Sequence, residues 1–295
     1  MVAPRSTHAT ANARSGQIGV AVWSRLEALA EGWRSLSDLT DRETWNDPAV
    51  QSCAGLIDNA QSIAVLTGAG VSAESGIPTF RDALTGLWAR FDPTQLATPE
   101  AFAADPALVT RWYDERRVAC ARCRANAGHL ALAELERRSK AAGCRFRLIT
   151  QNVDRLHQLA GSSDVVELHG SLWDWRCTHC GEQREERAVP FAEYPPRCHC
   201  GGPRRPGVVW FGEPLPSEAI AAAWAAAEDC DLFLSIGTSG QVEPAASLAR
   251  VAAQTGARLV EINPQPTTQS DVVDLVMRGP SGALLPLVLA ALDAC

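Results

Sequence analysis

Four groups of residues in this 295-residue chain have the types and spacing to do chemistry. The first is Gly68-Ala69-Gly70, followed by Ala73 and Glu74. The apolar run Ile63 to Leu66 leads into it and reads as a buried strand. Glycines at that point let the backbone approach a ligand closely and take up conformations that a side chain forbids. A strand, a glycine turn and a helix start form a phosphate-cradling unit, because the first helical N–H groups and the helix dipole favour an anion. Taken alone, Gly-x-Gly suits a tight structural turn equally well. Phe80-Arg81 adds an aromatic ring and a fixed cation just beyond the turn.

The second group is Gln151-Asn152-Val153-Asp154, and the third is Glu167-Leu168-His169-Gly170. Histidine is the side chain whose unperturbed pKa suits proton transfer near neutral pH. A lone histidine is often only a packing residue, but its place at a strand end, after the Gln-Asn-x-Asp motif, favours a catalytic reading. The fourth group is Cys177-x-x-Cys180 with Cys198-x-Cys200, four thiolates that make the ligand set of a closed structural zinc site. Such a site has no open position for water, so the metal should hold its segment together and take no part in chemistry. Only His199 separates the second pair, and replacement of one thiolate by His179 or His199 stays open. Cys120-x-x-Cys123 has similar spacing but lies in a helical stretch with no second pair nearby, and reads as packing.

The elements that must position these residues alternate between strand and helix. Strand signals occupy Phe146 to Thr150, Val165 to Leu168, Val208 to Phe211, Leu232 to Ile236 and Leu259 to Ile262. Helices are expected at Pro48 to Ala60, Ser217 to Glu228, Pro244 to Gln254 and Leu284 to Ala291. From Trp88 to Ala142 the pattern is helical, interrupted at Asp92-Pro93, Thr98-Pro99, Asp105-Pro106 and Asn126-Ala127-Gly128. Residues 171–207 lose periodicity and gain Cys, Gly and Pro, which marks a small inserted module. This alternation implies an α/β fold, a Rossmann-like parallel sheet covered by helices on both faces. The candidate residues fall just after strand C-terminal ends, where ligands collect in such sheets. Residues 1–45 read as an extension, a disordered tail followed by an amphipathic helix from Ile18 to about Leu39.

Composition narrows the function classes. The net charge of −7 argues against direct nucleic-acid binding, which needs a basic surface. No apolar run is long enough to span a bilayer, so no membrane role is expected. Ten cysteines in a chain of this length do not make a secreted disulfide scaffold, and the metal-type clustering suggests a reducing compartment. A cytoplasmic location is expected, or a mitochondrial one if the acid-free, Arg- and Ser-containing first sixteen residues act as a transit peptide. Lys140 is the single lysine.

The segment from Gly68 to Trp88 resembles the cofactor-binding signature of the sirtuins, the NAD-dependent protein deacylases. Thr150-Gln151-Asn152-Val153-Asp154, Leu168-His169-Gly170, Val208-Val209-Trp210-Phe211-Gly212-Glu213, and Gly237-Thr238-Ser239 with Ile262-Asn263-Pro264 agree with that family in the same order. The resemblance covers about residues 50–292. It implies a catalytic domain over 46–292, with a large domain from 46–87, 146–170 and 208–292. A smaller domain would be made of a helical insertion, 88–145, and a zinc-binding insertion, 171–207.

It also implies roles. His169 would be the base that activates a ribose hydroxyl after nicotinamide leaves. Asn152 and Asp154, with Val153, would hold nicotinamide, and Gln151 would orient the ribose. Phe80 would shield the reactive carbon and Arg81 would contact phosphates or organise the loop there, with Gly68, Ala69, Gly70, Ala73, Glu74 and Trp88 completing that end. Gly237, Thr238, Ser239, Asn263, Pro264 and Gln265 would bind phosphate and the adenosine ribose, and Ser281 would touch adenine. Val209, Phe211, Gly212 and Glu213 would receive an acylated-lysine peptide by strand addition.

Tyr113 and Arg116 are three apart on a helix and share a face. Guanidinium and phenol together make a receptor for a carboxylate. At this place in the sirtuin pattern they match the class that removes succinyl, malonyl and glutaryl groups, and the small Ala83 agrees with a deep acyl pocket. The cofactors implied are NAD and one structural zinc; the oligomeric state stays open between monomer and weak dimer. Two rival readings remain: a mono-ADP-ribosyltransferase or NAD hydrolase on the same fold, and a non-catalytic NAD-binding module.

Overall fold

A computed structural model describes residues 47–78 and 92–294. The helix expected near residues 18–39 and the extension 1–45 lie outside the described residues, as do Phe80, Arg81, Ala83 and Trp88.

Helix α1 (Pro48–Asn59) starts at Asp47, whose side chain accepts from the Ala49 N–H, with Pro48 at the first helical position. Strand β1 (Ser62–Thr67) is buried along its whole length and runs into the short helix α2 (Ala69–Ala73). The proline-initiated helices α3 (Pro93–Leu96), α4 (Pro99–Ala104) and α5 (Pro106–Cys120) follow, then α6 (Ala127–Ala141). Next come β2 (Arg145–Thr150), α7 (Leu156–Ala160), β3 (Val165–Glu167), β4 (Gly170–Cys177), β5 (Gln183–Glu185) and β6 (Arg204–Val208). The chain ends with α8 (Ser217–Asp229), β7 (Leu232–Ile236), α9 (Ser247–Gln254), β8 (Arg258–Ile262), β9 (Leu275–Met277) and α10 (Ser281–Leu292).

Six strands form one parallel sheet in the order β3-β2-β1-β7-β8-β9. This is the doubly wound order, whose direction of travel reverses between β1 and β7. Alternation along β1 sends Ile63 and Val65 to one face, where α1, α6 and α10 cover them, and Ala64 and Leu66 to the other, under α8 and α9. The expected α/β class and helices on both faces are therefore observed.

The second sheet is small and antiparallel, β5-β4-β6. It packs on α4 and α5 through Phe102, Val109, Trp112, Leu172 and Trp175. A buried Asp114–Arg117 pair at 2.6 Å ties the two insertions together. Arg117 donates to the carbonyls of Glu186 and Ala188, while Asp114 accepts from the Phe191 N–H and the Tyr194 hydroxyl.

Two expectations need correction. The strand read at Val208 to Phe211 is shifted: β6 ends at Val208 and belongs to the small sheet, because its partner is β4 within the cysteine-bearing module. The helical insertion also ends near Cys120 and not at residue 145. Ala131, Leu132 and Leu135 of α6 are part of the large-sheet core. Among the described residues no helix is long and apolar enough to cross a membrane.

Candidate active site

At the point where strand order reverses, the turns after β1 and β7 interlock. The Gly68 N–H donates to Ile236 O at 3.1 Å and the Gly70 N–H to Gly237 O at 2.9 Å. A Cβ on Gly68 would lie 2.8 Å from Gly237 O, and one on Gly70 would lie 2.8 Å from the Gly237 Cα. Gly237 itself has φ +61°. No side chain fits at this crossing, so the glycines are required by backbone packing as well as by any ligand. Thr238, next in the chain, accepts from Gln151 Nε2 at 2.9 Å, and its carbonyl accepts from Asn263 Nδ2 at 2.8 Å. The ends of β2, β7 and β8 are thereby joined by side-chain amides. Glu74 and Ser281 meet each other: a Glu74 oxygen lies 3.5 Å from Ser281 Oγ and accepts from the Gly282 N–H at 2.8 Å.

The loop after β2 carries the densest polar network. Ser72 Oγ on α2 donates to Asp154 Oδ2 at 2.7 Å and accepts from Asn152 Nδ2 at 3.1 Å. Asp154 Oδ1 accepts from the Leu156 N–H at 2.9 Å. Burial pushes the Asp154 carboxyl above its ordinary pKa. His129 Nε2 lies 3.3 Å from the same serine oxygen. Val153 packs against the small-domain core.

His169 lies between β3 and β4, its Nδ1 3.0 Å from Gln151 O. A carbonyl oxygen can only accept, so Nδ1 carries the proton and Nε2 keeps the free lone pair. Burial lowers the pKa of the ring below 6.5, and the bond to Gln151 opposes this. The imidazole is therefore neutral at pH 7 and presents a base. The His169 carbonyl accepts from the Val209 N–H at 2.9 Å, which fixes the start of the 209–213 segment. Glu213 is turned inward: it pairs with Arg205 at 2.5 and 2.9 Å and accepts from the Trp210 N–H. Phe211 is half exposed and its N–H donates to Ala97 O.

Tyr113 is buried, and its hydroxyl oxygen accepts from Trp210 Nε1 at 2.9 Å. An indole N–H can only donate, which leaves the phenol hydrogen free to donate elsewhere. Burial pushes the phenol above its ordinary pKa, so it stays protonated. Arg116 is half-buried and lies over the Trp112 ring at 5.0 Å. It has no ion pair among the described residues, and its buried Nε has no hydrogen-bond partner there. Burial also lowers the Arg116 pKa, opposed in part by Tyr113 and Cys120.

The sulfurs of Cys177, Cys180, Cys198 and Cys200 all lie within 4.8 Å of one another. Cys177 and Cys200 are 3.5 Å apart and Cys180 and Cys198 3.6 Å apart, too far for disulfides. The set fits a structural tetrathiolate zinc site. A second group, Cys180, Glu182, Cys198 and His199, also converges, whereas His179 belongs to neither. Cys120 and Cys123 are in neither group; Cys120 is buried with its sulfur 3.6 Å from Asp154 O.

The Sir2 family pattern matches residues 68–244, which brings the glycine turn, the Gln151–Asp154 loop, His169 and the cysteine module into one match. The chain belongs to the Sir2 family. An NAD-dependent protein deacylase of Pseudomonas aeruginosa is 50% identical over 242 residues, spanning 79% of this chain and 95% of that protein. One from Methylococcus capsulatus is 52% identical over 243 residues, spanning 79% of this chain and 93% of the relative. Among solved structures, a complex of a Sir2 homologue with NAD superposes with a TM-score of 0.77 at 44% identity, covering 82% of this chain and 94% of that one.

Two polar residues of this Sir2 domain escape a reading of motifs alone. Ser72 sits inside the glycine motif, yet only the packing of α2 against the β2 loop turns its hydroxyl to Asn152 and Asp154. His129 is an N-terminal residue of α6, in a capping box with Asn126, and nothing local signals its reach to Ser72.

Proposed function

We propose that this Sir2 protein, an NAD-dependent protein deacylase, prefers lysines carrying acidic acyl groups such as succinyl, malonyl and glutaryl, with deacetylation as a second activity. The products are nicotinamide and O-acyl-ADP-ribose. The observation that carries the preference is Arg116, a half-buried guanidinium with no counter-ion among the described residues, beside a phenol whose hydrogen is free. A carboxylate at the end of an acyl chain would supply the missing partner through charge-assisted hydrogen bonds.

The donor set at the strand ends fits a dinucleotide. Gln151 and Asn263 bond to Thr238, beside glycine backbone that no Cβ could share, and Asn152 is held next to it by Ser72. When bound, NAD supplies the electrophilic ribose carbon and the hydroxyl that receives the acyl group. The chain's own residues do the rest. Asn152 and Asp154, held by Ser72, engage the nicotinamide amide. Gln151 orients the ribose, and Gly237, Pro264 and Gln265 line the phosphate and ribose end. His169 Nε2 takes the ribose hydroxyl proton, with the positive charge stabilised through Nδ1–H and the Gln151 carbonyl. Phe80, Arg81, Ala83 and Trp88 keep the roles that the family pattern gives them. The 209–212 segment would receive an extended peptide through backbone groups other than the Val209 and Phe211 N–H, which already bond to His169 O and Ala97 O, while Glu213 supports that segment from behind through Arg205.

The test is incubation with NAD and matched acetyl-, malonyl-, succinyl- and glutaryl-lysine peptides, reading nicotinamide and the acylated nucleotide. Succinyl peptide should exceed acetyl peptide in kcat/KM by about tenfold or more, the worth of one charged hydrogen bond. Equal values for the two would remove the acidic preference. Nicotinamide release with ADP-ribosylated protein and no acylated nucleotide would replace deacylation with the transferase reading.

A further inference from the structure

Arg155 is the single non-glycine residue with positive φ among the described residues, at φ 63° and ψ 24°. It directly follows Asp154 and begins α7. A side chain in this conformation is strained, and such positions persist only where surroundings over-determine them. Here the surroundings are three carboxylates from three strands. Nε and Nη2 reach Glu167 of β3 at 3.2 and 3.4 Å, Nη2 also reaches Asp174 of β4 at 2.7 Å, and Nη1 reaches Glu185 of β5 at 2.8 Å. Gln158 adds a further bond to Glu167. The side chain is 18% exposed, so these bonds are partly shielded from water.

Glu167 belongs to the large parallel sheet, and Asp174 and Glu185 to the small antiparallel one. The chain crosses between the two sheets at Leu168-His169-Gly170. Gly170 has φ +70°, and a Cβ there would lie 2.0 Å from Gly207 O. Arg155 thus grips the chain before and after the pivot that carries His169. From this straddling geometry we infer that Arg155 is a positioning residue, one that fixes the angle between the two sheets and so holds His169 Nε2 where the ribose hydroxyl must be met.

The inference rests on the deacylase reading with His169 as base, and it makes a distinction that a merely structural role does not. Nicotinamide cleavage and its reversal by exchange do not need the base, whereas formation of the acylated nucleotide does. Arg155→Gly removes the grip and relieves the backbone strain. The ratio of labelled-nicotinamide exchange to acylated-nucleotide formation should rise about tenfold, with zinc content unchanged and the melting temperature not lowered in proportion. Asp174→Asn combined with Glu185→Gln leaves Arg155 and its backbone in place and should shift the ratio in the same direction. A ratio unchanged in both variants, or exchange and product formation falling in parallel, would overturn the inference while leaving the deacylase reading intact. A wild-type protein that releases no nicotinamide with any acyl peptide would overturn both.

Discussion

In the proposed acidic-acyl reading, Arg116 and Tyr113 would do different jobs on the same anion. The guanidinium, which has no counter-ion among the described residues, would supply charge, and the phenol would supply a donor whose direction is set by Trp210. Replacing both, as Tyr113→Phe with Arg116→Met, keeps most of the packing volume and removes only polar contacts. Desuccinylation should fall at least about tenfold, since a hydrogen bond to a charged group is worth about 1.5–3 kcal/mol, while deacetylation stays within about twofold. Parallel loss of both activities would mean that the pair supports the fold and does not read the acyl group. At His169 the decisive property is the proton. Burial lowers its pKa, so the base form persists below pH 6.5. Activity should be lost as pH falls through that lowered value, and a kcat/KM profile should place the acid midpoint under 6.5. A midpoint at or above 6.5 would contradict the burial. His169→Tyr should bind NAD, seen by calorimetry, and show no turnover.

Elements with a strong local signature are legible in the chain itself. The Pro-initiated helices begin at Pro48, Pro93, Pro99 and Pro106, where Asp-Pro or Thr-Pro breaks fall, because proline suits the first helical position and forbids helix before it. The buried parallel strands read as apolar runs, and β7 is found at Leu232–Ile236 as expected. Strands β4, β5 and β9 were not legible. β5 is three polar, exposed residues, and β4 interleaves Asp174 and Arg176 with Trp173, Trp175 and Cys177, so neither shows a one-sided apolar pattern, and β4 also depends on its distant partner β6. The same limit applied to the site. The glycine turn, amide loop and base lie in short contiguous motifs, whereas Ser72–His129 and Arg155 act through packing between separate elements. Helix α6 illustrates such packing. Asn126 caps it by accepting from the N–H groups of Gly128 and His129, and its Nδ2 donates to Val71 O at 2.7 Å and Ser75 Oγ at 2.9 Å. Asn126→Ala should destabilise by about 1–2 kcal/mol, visible as a lower urea midpoint at constant slope. Because the lost bonds reach the helix after the glycine turn, the NAD KM should rise in the same variant. An unchanged midpoint would show that water replaces the cap without cost.

Among the described residues, the apolar clusters on the two faces of the large sheet are separate from the one around the small sheet. Neither apolar cluster flanking the large sheet contains a residue between 170 and 207, whereas the third cluster joins α3–α5 to β4, β6 and Trp210. The small sheet has only three strands, one of them fully exposed. The four thiolates would gather around a bound zinc, and in such modules metal binding is folding free energy. Removing zinc with a strong chelator should therefore melt the small domain and spare the parallel sheet. Trp173 and Trp175 on β4 and Trp210 beyond β6 are buried reporters of that event. Their fluorescence should shift to the red while most far-ultraviolet dichroism survives. Deacylation should vanish at the same chelator concentration, because the 209–213 segment and two of the three carboxylates gripping Arg155 sit on or beside the small sheet. Adding zinc back should restore both signals together. If the chelated protein kept its activity, or if both sheets unfolded in one step, the two cores would not be the separable units that their packing describes.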